Sequence, residues 1–158
     1  MKTKKRRGAV ILERYAYVKE DIEKAERAYK RIANLLDWVA GIPSPVPNMS
    51  GMPGSGKISQ PTEQNALRRI QLGDKYDAEL KRRSERIDSL VKFALLVEFA
   101  LGLCSDTEEE IAIRHYLRRE RMRDIAKDLA LSEVSAYRIQ RQAIERIEEV
   151  FVGEEIPK

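Results

Sequence analysis

The sequence predicts an all-α protein in which a long N-terminal antiparallel helical hairpin, resembling a coiled coil, precedes a C-terminal helix-turn-helix. Three observations support this prediction. The composition is dominated by helix-forming Leu, Ile, Ala, Glu, Lys and Arg. Apolar residues recur at spacings of three and four over long stretches. Two shorter amphipathic segments near the C-terminus are separated by a few residues that favour a turn.

The chain begins with a basic arm, which we predict to be disordered over residues 1–8. This arm contains five basic residues and no acidic one. No clean apolar stretch follows it, so it lacks the pattern of a signal peptide. A basic arm of this kind can contact a DNA backbone, or it can simply be an unstructured start.

Residues 9–40 are predicted to form one long helix. Its apolar residues alternate at spacings of four and three, and charged residues lie between them. A helix with such a seam requires a partner helix in water. The seam consists of Ile11, Tyr15, Val18, Ile22, Ala25, Tyr29, Ile32, Leu36 and Val39.

A Pro-, Gly- and Ser-rich linker is predicted over residues 41–61. Within it, residues 51–57 resemble the start of a phosphate-binding loop, but Ile58 stands where that loop requires Ser or Thr to bind magnesium. No strand pattern precedes the segment, whereas a phosphate-binding loop joins a strand to a helix. We therefore expect no nucleotide site.

A second long helix is predicted over residues 62–103, with a comparable seam that Arg83 interrupts. It can fold back on the first helix as an antiparallel hairpin, or it can pair with another chain. Apolar residues also lie off the seam and predict a further contact, either with the C-terminal helices or with another subunit. The seam residues are Tyr76, Leu80, Ile87, Leu90, Ala94, Val97 and Leu101, and those off it are Phe93, Leu95, Leu96 and Phe99.

The segment 105–152 is predicted to be a helix-turn-helix domain that binds DNA. Ser105 caps an acidic first turn, which is a strong helix start. Ala126 supplies the small residue at which two helices can cross, and Ser132 is a suitable N-cap for the second helix. The predicted inward-facing residues are Ile125, Leu129, Leu131, Ala136, Ile139, Ala143 and Ile144.

The outward face of the second helix carries residue types that suit base edges in a major groove. These are Glu133, Val134, Ser135, Tyr137, Arg138 and Arg141. A second set is predicted to hold phosphates, and it consists of Arg118, Arg119, Arg121, Arg123 and Ser132. The alternative is an ordinary helical hairpin whose arginines are solvated surface residues.

Other classes of function find little support in the sequence. The single cysteine, Cys104, and the single histidine, His115, provide no metal site, so we expect no metal and no cofactor. No catalytic constellation is recognisable, and we expect no enzymatic activity. The most apolar stretch, residues 90–103, is too short to span a bilayer. We therefore expect a cytoplasmic protein that does not associate with membranes.

The C-terminal third resembles region 4 of bacterial sigma factors, through Ile125, Ala126, Leu129 and Ser132, followed by the apolar positions of the second helix. The wider chain is similar to the ArpU/RinA-type transcriptional regulators of phages and prophages, which share a linker like that at 52–54. This chain departs from the pattern at residues 119–122, where such families often place a glycine and an aromatic residue, and at Ala130 in the turn. The resemblance implies activation of phage late genes in the bacterial host, with RNA polymerase as a partner.

Our leading hypothesis is a sequence-specific regulator that binds double-stranded DNA and forms a homo-oligomer through its long helices. One alternative is a DNA-packaging component like a phage small terminase subunit, although those proteins usually place the DNA-binding part first. Another is a protein-interaction module that uses its sigma-like end, and the acidic run 108–110 would suit a basic partner.

Overall fold

The computed structural model of the chain describes residues 6–41 and 60–157, with side chains in the second range from residue 64 onward. The described residues are almost entirely helical and contain no strand, which confirms the all-α prediction. The helices are α1 (Arg7–Gly41), α2 (Gln60–Gly102), α3 (Asp106–Ala112), α4 (Met122–Asp128) and α5 (Glu133–Val150), and a π-helical segment (Ile113–Leu117) continues α3.

The helix bounds correct the predicted boundaries in two places. Arg7 and Gly8, which we assigned to the disordered arm, begin α1. Gly41 and residues 60–61, which we assigned to the linker, belong to α1 and α2. Residues 1–5 of the arm and 42–59 of the linker, including the segment that resembles a phosphate-binding loop, lie outside the described residues.

The chain divides into two compact units: residues 1–23 together with 88–158, which we call the terminal unit, and residues 24–87, which we call the middle unit. In the middle unit, Ala25 is buried and the other predicted seam residues are half-buried. Arg83, which interrupts the apolar seam of α2, is half-buried and pairs with Glu79 at 2.9 Å. Its charge is therefore compensated one turn earlier in the same helix.

The terminal unit contains a core to which the start of α1, the end of α2 and α5 all contribute. Its fully buried side chains include Ile11, Leu90, Val97, Ile147 and Phe151. The Tyr15 hydroxyl donates to the Glu98 carboxylate, and burial together with this hydrogen bond raises the pKa of Tyr15 to about 12. Taking the two units together, all the predicted seam residues of α1 and α2 are buried or half-buried within one chain.

The residues off the seam of α2 have divided roles. Phe93 is buried and packs edge-on against Phe151, with ring centroids 5.7 Å apart, so it makes the predicted contact with the C-terminal segment. Leu95 and Phe99 are exposed.

The N-terminus of α1 is held against α5 and the C-terminal tail by polar contacts. Arg6 pairs with Glu145 at 2.7 Å, and the Gly8 amide donates to the Glu148 carboxylate at 2.8 Å. Arg14 Nε donates to the Pro157 carbonyl at 2.9 Å. The helices after residue 105 therefore share one compact unit with the start of α1.

The start of α3 is fixed by a capping box. The Ser105 hydroxyl accepts from the Glu108 amide, and the Glu108 carboxylate accepts from the Ser105 amide at 2.8 Å. Glu108 is buried and also pairs with Arg146 of α5 at 3.1 Å. Burial alone would raise the pKa of Glu108, but the hydrogen bonds from Ser105 and the charge of Arg146 outweigh it and lower the pKa.

Candidate nucleic-acid interface

The candidate site is built on α4 and α5, which cross over a small apolar core. Ile125 and Ala126 of α4 and Ala136 of α5 are buried, together with Ile111 of α3 and Met122. The two alanines have no side chain beyond Cβ, so they allow the helices to approach closely. Leu129, Leu131 and Ile139 pack against this core and are partly buried, as their predicted inward positions require.

The turn between α4 and α5 contains a left-handed residue without a glycine. Ala130 has φ +54°, and the turn closes through a hydrogen bond from the Leu131 amide to the Ala126 carbonyl at 2.8 Å. The Cβ of an L-residue is crowded in this conformation, at a cost of about 1–2 kcal/mol. The Ala130 amide also donates to the Lys127 carbonyl at 3.2 Å, so backbone hydrogen bonds on both residues hold the turn despite that cost.

Ser132 caps the N-terminus of α5, as predicted. Its hydroxyl oxygen accepts from the Ser135 amide at 3.1 Å, and the hydroxyl donates to Ser135 Oγ at 2.9 Å. Both serines are thus engaged at the start of the helix, and Ser135 is half-buried. They orient the first turn of α5, and Ser135 lies less open to a ligand than the other predicted base-reading residues.

Four predicted base-reading residues share one open face of α5. Val134 is 81% exposed and Tyr137 is 53% exposed, and Arg138 and Arg141 are also exposed. Their spacing of three and four positions places them along a single stripe. Neither arginine forms an ion pair with another described residue. The opposite face of the same helix buries Ala136, Ala143, Ile144 and Ile147.

A basic cleft of about 520 Å³ lies beside the start of this stripe. Arg121, Arg123 and Lys127 line it together with two carboxylates, those of Asp124 and Glu133, so basic side chains outnumber acidic ones by three to two. Arg123 Nε is 4.0 Å from the Glu133 carboxylate, and both side chains are more than half exposed, so this pair is weak. Lys127 was missing from the predicted phosphate-binding set, although its position four residues after Arg123 on the same helix could have indicated it.

The other two predicted phosphate-binding arginines lie on different surfaces. Arg118 lines a recess with the acidic side chains Asp106, Glu109 and Glu110. Arg119 has φ +58°, and its guanidinium carbon lies 5.4 Å from the centroid of the Tyr17 ring of α1. The structure therefore brings Arg121 and Arg123 together beside α5 but places Arg118 and Arg119 elsewhere.

Arg114 has a structural role that the sequence did not indicate. It pairs at 2.6 Å with Glu120, in the connection before α4, and with Asp128 at the end of α4. Hydrogen bonds to these two carboxylates raise the pKa of Arg114, and Arg114 remains charged in any case. His115 is half-buried, and its Nδ1–H donates to the Glu120 carbonyl at 3.1 Å. These contacts fix the π-helical segment against the connection that leads to α4.

Residues 6–41 and 60–157 also lack two other kinds of feature, a metal site and a membrane-spanning helix. This part of the chain has no group of acidic, histidine or cysteine side chains arranged to hold a metal ion. Among the described helices, none has a sufficiently long apolar stretch to cross a bilayer. The chain matches no protein-family model, no curated protein and no solved structure at a significant level.

Proposed function

We propose that the protein is a sequence-specific regulator of transcription of the phage type, which binds double-stranded DNA through a sigma region 4-like helix-turn-helix formed by α4 and α5. The observation that carries this proposal is the open stripe of Val134, Tyr137, Arg138 and Arg141 on a helix whose opposite face is buried. A helix supported in this way is suited to enter a major groove.

The chemistry of the stripe suits recognition of bases. Arg138 and Arg141 can each donate two hydrogen bonds to guanine, which is a frequent specific contact in the major groove. Val134 offers an apolar surface to a thymine methyl group, and Glu133 can accept from cytosine. Because neither arginine is paired with another described residue, DNA contacts need not displace an existing ion pair.

The basic cleft gives the complex its phosphate contacts. In this proposal Arg121, Arg123 and Lys127 hold the backbone next to the groove that α5 enters. Arg118 is not given this role because acidic side chains outnumber basic ones in its recess, three to two, whereas basic side chains outnumber acidic ones in the cleft. Arg119 stays with Tyr17, where it supports the turn before α4.

The role in transcription, including contact with RNA polymerase, rests on the family resemblance. The expected absence of enzymatic activity rests on the lack of a recognisable catalytic constellation in the sequence. The DNA-binding part of the proposal depends on the residues alone, so it can be tested separately.

The direct test is selection of bound duplexes from a random pool, followed by titrations at several salt concentrations. We expect one enriched motif, and an affinity whose logarithm falls linearly with the logarithm of salt concentration. Arg121→Gln with Arg123→Gln should reduce the slope by about 1 for each phosphate contact removed. Lys75→Gln, at an exposed position of α2 in the middle unit, is the control and should leave the slope unchanged.

Two results would contradict the proposal. Failure to retain any duplex at low salt would favour a protein-interaction module. Retention of all sequences equally, with no enriched motif, would leave α5 without a reading role.

A further inference from the structure

The end of α2 is apolar on two opposite sides. One side supplies Leu90, Phe93, Val97 and Leu101 to the core of the terminal unit. The other side exposes a row of apolar residues four positions apart, which Leu103 extends beyond the end of the helix. The row consists of Val91, Leu95, Phe99 and Leu103, with exposed fractions of 38%, 65%, 62% and 50%. We call it the α2 ridge.

We propose that the α2 ridge is the surface on which a second copy of this chain packs, forming a two-fold symmetric dimer. The choice of a second copy rests in part on the proposed function, because a single helix-turn-helix gains affinity and half-site spacing by pairing. The area, charge and shape of the ridge each favour the contact itself.

The exposed apolar area of the ridge is large enough for a dimer interface of ordinary size. At these exposed fractions, the four side chains present on the order of 400 Å² of apolar surface, which is within the range of functional patches. Because a little over half of a typical interface is apolar, a contact centred here would cover about 700 Å² on each copy. The total of about 1,400 Å² lies in the range of specific, stable complexes.

The charges beside the ridge favour contact with an identical surface. A symmetric contact brings like residues near one another, so an uncompensated charge on the rim would repel its own copy. Lys92 pairs with Glu154 at 2.7 Å, and Glu98 accepts from Tyr15. Lys92 and Glu98, which flank the middle of the ridge, are therefore already engaged within the chain, so the charges nearest the proposed two-fold axis do not strongly repel their own copies. Asp88, which is exposed one turn before Val91, lies at the end of the row away from that axis.

The four-residue spacing also sets the geometry of the contact. Rows of this kind on two helices interlock when the helix axes cross at about −50°. The contact is then confined to the last turns of α2 and does not run along the whole helix. Leu95 lies near the two-fold axis, and Val91 of one copy faces Phe99 of the other.

Molecular mass in solution without DNA tests this proposal. For a protomer of 18.2 kDa, we expect a dimer at micromolar concentration. Leu95→Glu and Phe99→Glu, each at an exposed position, should raise the dissociation constant at least tenfold while the circular dichroism of the folded protein stays helical, as in the wild type. Val152→Glu is the matched control, because Val152 is 78% exposed but lies off the ridge. That variant should remain dimeric.

Cross-linking provides a second readout that does not depend on loss of binding. In a Cys104→Ser background, Leu95→Cys should form a disulfide-linked dimer on oxidation, because residues near the two-fold axis approach within disulfide distance. Val152→Cys in the same background should not do so. A strong cross-link through Val152→Cys alone would overturn the proposal.

Several other results would also overturn it. These are a monomeric wild-type protein, a dimer that persists in both Glu variants, a ring of many subunits, or a dimer that is broken only by Trp38→Glu in the middle unit. All of these measurements omit DNA, so they leave the proposed function untouched. A protein that dimerises through the ridge but selects no DNA motif would contradict the proposed function alone.

Discussion

Gly8 of α1 lies against the backbone of Ile144 in α5. A Cβ atom built at Gly8 would be 2.7 Å from the Ile144 carbonyl oxygen and 2.9 Å from Ile144 Cγ2. Atoms at such distances must move apart, and a backbone carbonyl within a helix cannot move cheaply. Gly8 therefore permits the close approach of α1 to the helix that carries the candidate DNA-reading face.

This contact predicts an unusual response to a glycine-to-alanine substitution. Gly8→Ala should lower the free energy of unfolding by about 1–3 kcal/mol through overpacking, although alanine is the better helix former. Gly73→Ala is the matched control, because nothing lies within 4 Å of the corresponding Cβ in α2. That variant should gain about 0.5–1 kcal/mol. Denaturant titration measures both values, and a gain in both variants would contradict the close packing.

The left-handed turn predicts the opposite result for an alanine-to-glycine substitution. Ala130→Gly should raise the free energy of unfolding by about 1 kcal/mol, because glycine adopts positive φ without steric cost. Ala78→Gly, at an exposed position inside α2, should lower it by about 1 kcal/mol. Thermal unfolding of the two variants provides the comparison. A loss of stability in Ala130→Gly would mean that the positive φ of Ala130 is not maintained in solution.

The buried carboxylate of Glu108 predicts a stability that depends on pH. Its pKa is lowered in the folded protein, so its contribution is complete above the unfolded value of about 4.3 and is lost as pH falls through the folded value. Glu108→Gln removes the charge that pairs with Arg146, and it should cost about 1–2 kcal/mol at neutral pH. The difference from wild type should shrink below about pH 4.

Denaturant titrations between about pH 7 and pH 3 measure that difference. Glu109→Gln is the control, since Glu109 is adjacent in α3 but its carboxylate pairs with no described basic group. The free energy of unfolding of Glu109→Gln, relative to wild type, should change less with pH. An equal pH dependence in the two variants would show that Glu108 is not the source of the pH-dependent stability.

The helical architecture could be predicted from the sequence because periodicity reports directly which face of a helix is buried. The seam residues of both long helices, together with Ala126, Ala136 and Ala143 in the C-terminal segment, are buried or half-buried as their spacing indicates. The cap at Ser132 was also predictable, because serine before an amphipathic run has a local physical reason to be there.

The parts that could not be predicted depend on contacts between distant segments. The contacts of Gly8 with Ile144 and Glu148 join residues from opposite ends of the chain, and a lone glycine beside a basic run indicates no such contact. The predicted phosphate-binding arginines lie close together in the sequence but not all on one surface. A turn of positive φ at Arg119 directs Arg118 and Arg119 away from the cleft that contains Arg121 and Arg123.

The proposed base-reading role of Arg138 and Arg141 predicts that their loss reduces sequence preference without unfolding the protein. Arg138→Ala and Arg141→Ala should each weaken binding to a selected motif by about 1–3 kcal/mol and relax the preference at one base pair. Both residues are exposed, so thermal unfolding should be unchanged. Arg86→Ala, at an exposed position of the middle unit, is the control and should retain the full preference.

Competitive binding of the selected motif against random duplex decides whether the open face of α5 reads DNA sequence, as we propose. We expect Arg138→Ala combined with Arg141→Ala to reduce the ratio of specific to random affinity by at least tenfold, while affinity for random duplex falls much less. A ratio equal to that of the wild type would contradict the assignment of α5 as the reading helix.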